Sequence, residues 1–278
     1  MSRAQVQKER EKAWLAILLA WVAGSVDAIG YLMLFHLFTA HMSGNSVATG
    51  AYLGRHQWGA ALYRAFPIPL FVIGVALGAT ITETAARRGI RSTFSISLGL
   101  EAVLLVLFMA YGSRLDHNGP MQLNVTWKFY PLAAFPIVAM GLQNATLRRV
   151  GNRTVHTTYV TGILTNLAEQ GVAYMFWLYD HMIGRTINRM IKSLRVSTRQ
   201  KSLSRVILYG GIWSGYIIGA ILGGYIQQRW ELKALALPLC GLVFIIIWDL
   251  IRPIHTPPGF EQEGSRYRCR DNDEFEAL

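Results

Sequence analysis

The sequence predicts an all-α membrane protein. It reads as a polytopic helical bundle of about six spans, built as two three-span repeats of inverted sense, each with a broken or re-entrant segment containing glycine. Three observations carry this reading. Hydrophobic residues make up 52% of the 278, and only 15% are charged, against roughly 25% in an ordinary soluble domain. The apolar residues fall into six runs that approach or exceed the roughly 20 residues needed to cross a bilayer. A polar, Gly-containing motif also occurs twice, as Met42-Ser43-Gly44-Asn45-Ser46 and as Val160-Thr161-Gly162-Ile163-Leu164-Thr165-Asn166, 118 residues further on.

The elements follow in chain order. Residues 1–13 hold Arg3, Lys8, Arg10 and Lys12 ahead of an apolar run. A signal peptide has that layout, but this run extends about 25 residues without a small-residue cleavage site, so an uncleaved first span is expected. The expected spans are 14–38, 63–83, 94–112, 129–147, 206–226 and 232–251. They group into repeat one (14–113) and repeat two (129–251) of a single transmembrane domain, 14–252. A further match, Ile73-Gly74-Val75-Ala76-Leu77-Gly78 with Ile218-Gly219-Ala220-Ile221-Leu222-Gly223, falls in the second span of each half. Residues 180–205 interleave Ile183, Ile187 and Ile191 with Arg185, Arg189 and Lys192. That pattern suits either a basic amphipathic helix on an anionic leaflet or a solvated basic loop. A polar, disordered cytoplasmic tail is expected over 253–278.

Charge sets the orientation. With six spans and both termini in the cytoplasm of a bacterial inner membrane, 21 of the 27 basic residues lie inside, a strong positive-inside bias. This requires that 157–179 does not cross, or crosses only partway. If that segment and residues 41–52 both cross, eight spans result, and 19 basic residues lie inside. Thr157, Thr158, Thr161, Thr165, Asn166, Glu169 and Gln170 argue against a lipid-facing crossing.

Several residues are candidates for function. Asp27 lies in the first span, where an ionised carboxylate costs roughly 2.5–3.5 kcal/mol on insertion scales. It is either a proton, cation or substrate site, or a carboxylate hydrogen-bonded to fix helix packing. His36 and His41 flank the outer end of that span, and their spacing from Asp27 fits no compact metal-ligand set, so no metal is expected. His41, Ser43, Asn45 and Ser46 in the first half and Gln143, Asn144, Thr161, Thr165 and Asn166 in the second are candidate substrate-binding residues. Their bland alternative is hydrogen bonding between packed helices. Glu101 and Glu169 could join Asp27 in a proton relay, or pair with arginine near a helix end. Gly74, Gly78, Gly219 and Gly223 form small-residue faces that let helix backbones approach closely.

Other classes are disfavoured. The net charge of +11 sits between apolar spans, not on one face, which argues against nucleic acid. Cys240 and Cys269 form neither a disulfide framework nor a zinc spacing. No Gly-x-Ser-x-Gly, P-loop, HExxH or Cys-x-x-Cys pattern occurs, so neither an enzyme nor a cofactor is expected.

Val26-Asp27-Ala28-Ile29-Gly30-Tyr31, followed by His41-Met42-Ser43-Gly44-Asn45-Ser46, resembles the amino-terminal pattern of the YoaK-like family of bacterial inner-membrane proteins. Ala139-Met140-Gly141-Leu142-Gln143-Asn144-Ala145, followed by Thr158-Tyr159-Val160-Thr161-Gly162, resembles its second-half pattern. The resemblance covers roughly residues 12–252. Ser43 stands where Thr is common in the family, and residues 180–205 are longer and more basic than its pattern. The resemblance implies a polytopic, all-helical inner-membrane protein and supplies no reaction or substrate. The expected function is a secondary transporter or permease for a small polar solute or ion, with Asp27 as protonation site. The rival is a non-transporting structural or regulatory membrane protein. Expected partners are membrane lipids and the solute, with room for a homo-oligomer.

Overall fold

Apolar sequence with good helix formers and few interior breakers yields helices throughout. A computed structural model of the chain describes residues 3–88, 93–114, 128–147, 160–182 and 200–251. These residues form α1 (Arg3–Met33), α2 (Met42–Leu53), α3 (Trp58–Ala65), α4 (Pro67–Arg87), α5 (Thr93–Gly112), α6 (Phe129–Leu147), α7 (Val160–Met182), α8 (Lys201–Trp230) and α9 (Ala236–Ile251). A single 3-10 turn, Glu231–Leu235, joins the last two. Most of the basic 180–205 segment and the whole of the 253–278 tail lie outside the described residues.

Among the described residues four stretches are long and apolar enough to cross a membrane: Arg10–Met33, Trp58–Ala85, Phe94–Gly112 and Ser202–Ile251. The second contains α3 and α4, and the last contains α8 and α9. The core is built where these helices meet: Leu19, Val22, Ile29, Leu105, Phe108, Ile137, Met140, Ile212 and Leu242 are almost fully enclosed. Outward faces are equally apolar, with Val72, Ile73, Val103, Ile218, Ile221, Phe244 and Ile247 exposed. Exposed apolar area on that scale is what a lipid-embedded surface requires.

Glycine decides which helices touch. On the α1–α8 crossing, a Cβ added at Gly24 would strike the Tyr216 carbonyl, one at Gly219 the Trp21 carbonyl, and one at Gly223 the Ser25 carbonyl at 2.7 Å. On the α4–α6 crossing, a Cβ at Gly141 would meet the Phe71 carbonyl at 2.5 Å, one at Gly74 the Val138 carbonyl, and one at Gly78 the Leu142 carbonyl at 3.0 Å. These are the same three contacts twice over. A shift of 117 residues carries Trp21, Gly24 and Ser25 onto Val138, Gly141 and Leu142, and a shift of 145 carries Phe71, Gly74 and Gly78 onto Tyr216, Gly219 and Gly223. In each crossing the two helices run parallel, since residue numbers rise together along the contact.

The α5–α6 and α7–α8 pairs are antiparallel. Ser97 and Thr146 share a hydroxyl hydrogen bond at one end of the α5–α6 pair, and Gly112 lies against Leu132 at the other. Ser95 donates from its backbone N–H (3.2 Å) and hydroxyl (2.7 Å) to Asp249 Oδ2, tying α5 to α9. α7 lies along α8, with Leu167 beside Gly210 and Arg205 donating to Gln170 Oε1 at 3.1 Å. Val160, seven residues before Leu167 and so about 10 Å away along the axis, therefore begins near the middle of α8.

The first helix ends earlier than the sequence predicts. α1 stops at Met33, not at residue 38, because Phe35 and His36 adopt φ of 50° and 61° and reverse the chain. Such values in non-Gly residues leave no compositional mark.

Candidate functional site

After the reversal the chain folds back along α1. Leu34 N–H donates to the Gly30 carbonyl (2.8 Å), His36 N–H to the Tyr31 carbonyl (2.8 Å), and the Tyr63 hydroxyl to the Leu34 carbonyl (2.8 Å). Arg64 donates to the His36 carbonyl. Gly30 then makes room for the returning strand of chain: a Cβ there would sit 2.6 Å from Thr39 Cγ2. The fold-back returns to the level of Asp27, six residues short of the end of α1, or about 9 Å of helix. α2 starts from that depth.

Asp27 is the anchor of this fold-back. Its Oδ1 accepts from Thr39 N–H (3.1 Å), Thr39 Oγ1–H (2.6 Å) and Ala40 N–H (3.0 Å). Its Oδ2 accepts from Tyr216 Oη–H of α8 (2.7 Å) and pairs with His41 Nδ1 (2.6 Å). With an ionised carboxylate, which only accepts, Nδ1 must carry the hydrogen. An ionised carboxylate offers about four lone-pair sites, so five donors saturate it. The pair is asymmetric in depth: the His41 side chain is 28% exposed and that of Asp27 only 6%. One buried charge therefore joins α1, the returning chain and α8, and His41 gives it a route to the surface.

Asn45 fixes the other side of the loop. Its Nδ2 donates to the Phe38 carbonyl (2.9 Å), and its Oδ1 accepts from Phe38 N–H (3.3 Å). Phe38 in turn lies on Gly44. The remaining motif hydroxyls turn elsewhere. Ser43 and Ser46 are exposed, and Ser46 donates to the Met42 carbonyl of its own helix (2.8 Å).

The second motif lies on α7, as the first lies on α2. Its residues lie apart from Asp27. Thr161, Thr165, Asn166 and Glu169 are on the exposed side of α7, with Thr165 donating to the Thr161 carbonyl (3.0 Å). α2 packs on α3 and α4, whereas α7 packs on α8. Gln143 and Asn144 stand on α6, where Gln143 is fully buried and donates to the Leu19 carbonyl of α1 at 3.0 Å. Glu101 is fully buried in α5. So the structure gathers Asp27, His41 and Asn45 around one fold-back, leaves Ser43 and Ser46 exposed on α2, and distributes Glu101, Gln143, Asn144, Thr161, Thr165, Asn166 and Glu169 over α5, α6 and α7. Among the described residues no group of three or more His, Cys, Asp or Glu side chains could hold a metal.

Sequence reasoning missed Thr39 and Tyr216. Fourteen residues also separate His41 from Asp27, which in a continuous helix would keep them apart; only the fold-back brings them to 2.6 Å. The one available signal was Tyr216 itself, a hydroxyl-bearing aromatic on the glycine face of α8.

Comparison with known proteins supports a membrane location. The family described as "Protein of unknown function (DUF1275)" matches residues 15–248. The UPF0700 transmembrane protein YoaK of Bacillus subtilis (strain 168) is 29% identical over 166 residues, which cover 59% of this chain and 68% of that protein. No solved structure matches.

Proposed function

The chain belongs to the DUF1275 family, an integral membrane protein of YoaK type, and we propose that it is a secondary transporter or permease for a small polar solute or ion. In this reading it crosses the bacterial inner membrane six times with both termini in the cytoplasm, as two inverted three-span repeats, and couples to protons through Asp27. The observation that carries the reading is the recurrence of one helix crossing. The contacts of Gly24, Gly219 and Gly223 return as those of Gly141, Gly74 and Gly78 at constant shifts. Inverted repeats related in this way give two equivalent ways of tilting one half against the other, the basis of alternating access. The fold-back at Asp27 adds a re-entrant segment whose backbone N–H groups converge on a buried charge. Protonation of the carboxylate would remove one of its acceptor sites and loosen Thr39, Ala40 or Tyr216, so that a proton would act directly on the loop.

One observation favours the rival, a non-transporting structural membrane protein: both Asp27 oxygens are saturated by the protein itself. Flux separates the two. The full chain in proteoliposomes, loaded with a broad panel of labelled solutes and ions and with a pH-sensitive dye, should move at least one of them. Asp27→Asn should abolish its coupling to the proton gradient, and Tyr216→Phe should weaken it. No flux above protein-free liposomes for any member of the panel would leave the structural reading standing.

A further inference from the structure

The core between α5 and α6 holds a second polar group that the Asp27 cluster does not reach. Glu101 is fully buried, and neither Oε1 nor Oε2 has a hydrogen-bond partner among the described residues. Gln143, also fully buried, leaves its Oε1 without a partner in the same way. Its orientation is fixed, because Nε2 donates to the Leu19 carbonyl at 3.0 Å, and the flipped amide would set two acceptors against each other. The two residues stand at one level of the α5–α6 pair. Ser97 with Thr146 and Gly112 with Leu132 pin the antiparallel register at both ends of the pair, which brings Glu101 opposite Leu142 and Gln143. Glu101 lies eight residues into the 20-residue α5, near mid-span.

Three acceptor oxygens in an apolar core with no donor are costly, and the cost is greatest for a carboxylate. The other buried carboxylates do not resemble this: Asp27 has five partners, and Asp249 accepts from Ser95. Nor, among the described residues, does the surrounding protein supply a countercharge. α6 carries no charged residue over its length. On α9, Asp249 meets α5 at Ser95, six residues from Glu101, or about 9 Å of helix. On α4, Glu83 pairs with Arg87 at a helix end. Glu231 and Lys233 belong to the 3-10 turn that packs near Gly112, at the far end of α5.

We propose that Glu101 and Gln143 hold a small dehydrated cation, a proton or a sodium ion, in the middle of the bundle. Either would satisfy the acceptor oxygens that the protein leaves open, and either would be expected of an acid kept inside a membrane helix. The proposal stands without the transport reading, because binding can be measured where no flux occurs.

The test uses the full chain purified in detergent. Radioactive sodium binding and infrared spectra of the carboxyl region are recorded on the wild type, on Glu101→Gln and on Gln143→Leu, with folding checked by gel filtration. For sodium, the wild type should bind about one ion, its unfolding temperature should rise by a few degrees at saturating sodium with choline as control, and Glu101→Gln should lose both responses. For a proton, no sodium binds, and the wild type should show the C=O stretch of a buried carboxylic acid that Glu101→Gln lacks and Gln143→Leu shifts. A folded wild type with neither sodium binding nor a buried carboxylic-acid band overturns the proposal without any variant. So does a folded Glu101→Gln protein that keeps whichever signal the wild type shows.

Discussion

Asp27 and Thr39 are twelve residues apart, yet the Thr39 hydroxyl and backbone N–H both donate to one oxygen of the Asp27 carboxylate, at 2.6 and 3.1 Å. The contact holds the chain after α1 folded back against the helix it has just left. Thr39→Val keeps the shape and removes the hydroxyl. It should cost about 1.5–3 kcal/mol, the usual range for a hydrogen bond to a charged group. Amide exchange over residues 34–45 should speed up more than exchange within α5, which has no part in the contact. Equal protection in both regions would mean that Asp27 does not anchor the loop.

Tyr216 reaches the same carboxylate from α8, at 2.7 Å. Tyr216→Phe leaves the ring and removes the hydroxyl, so the α1–α8 crossing should keep its packing. The expected loss is again about 1.5–3 kcal/mol, read by thermal unfolding in detergent. Combined with Thr39→Val, the two losses should depart from additivity by at least about 0.5 kcal/mol, since both act on one charge. Simple additivity would argue that the two donors are energetically independent.

The two-way bond between Asn45 and Phe38 gives a sharper contrast within one motif. Asn45 is fully buried and serves both the N–H and the carbonyl of Phe38. Asn45→Ala leaves both backbone groups without that partner and should cost about 2–6 kcal/mol, at roughly 1–3 kcal/mol for each group left unsatisfied. Ser46→Ala removes an exposed hydroxyl that bonds only its own helix, and should fall within about 0.5 kcal/mol of wild type. Chemical or thermal unfolding of the pair decides it, and similar losses at both positions would refute the assignment.

How much of this was legible in the sequence differs by feature. The helical bundle was, because runs of apolar residues state their own length. The small-residue faces on α4 and α8 were also visible, but not their partners: a glycine stripe announces a close approach without naming the helix that approaches. Gly24, which shares α1 only with Gly30 six residues on, and Gly141, the one glycine of α6, take the opposing carbonyls and give no stripe to read. The polar motifs were visible as composition only. Ser46 and Thr165 bond the carbonyl four residues back in their own helices, a habit of hydroxyl side chains that makes a polar cluster look more like a site than it is. Asn45 differs because its partner lies outside the helix, and a sequence does not distinguish the two cases. The fold-back was hidden because it rests on left-handed Phe35 and His36.

The matched crossings make a quantitative prediction about glycine. If the α1–α8 and α4–α6 contacts are copies of one design, equivalent positions should respond alike. Gly24→Ala and Gly141→Ala each push a methyl group into a backbone carbonyl, of Tyr216 and Phe71 respectively, and neither carbonyl belongs to a flexible side chain. Each should cost about 1–3 kcal/mol through forced separation of the helices. Gly50, Gly99 and Gly171 have nothing within 4 Å of an added Cβ, so Ala there should be neutral or stabilise by up to about 1 kcal/mol through helix propensity. Unfolding free energies of the five single variants in one detergent test this directly. Equal destabilisation at all five would mean that the protein resists any added methyl and that the crossings are not special. A large loss at Gly24 with none at Gly141 would break the equivalence of the two crossings, and with it the support for the proposed transport.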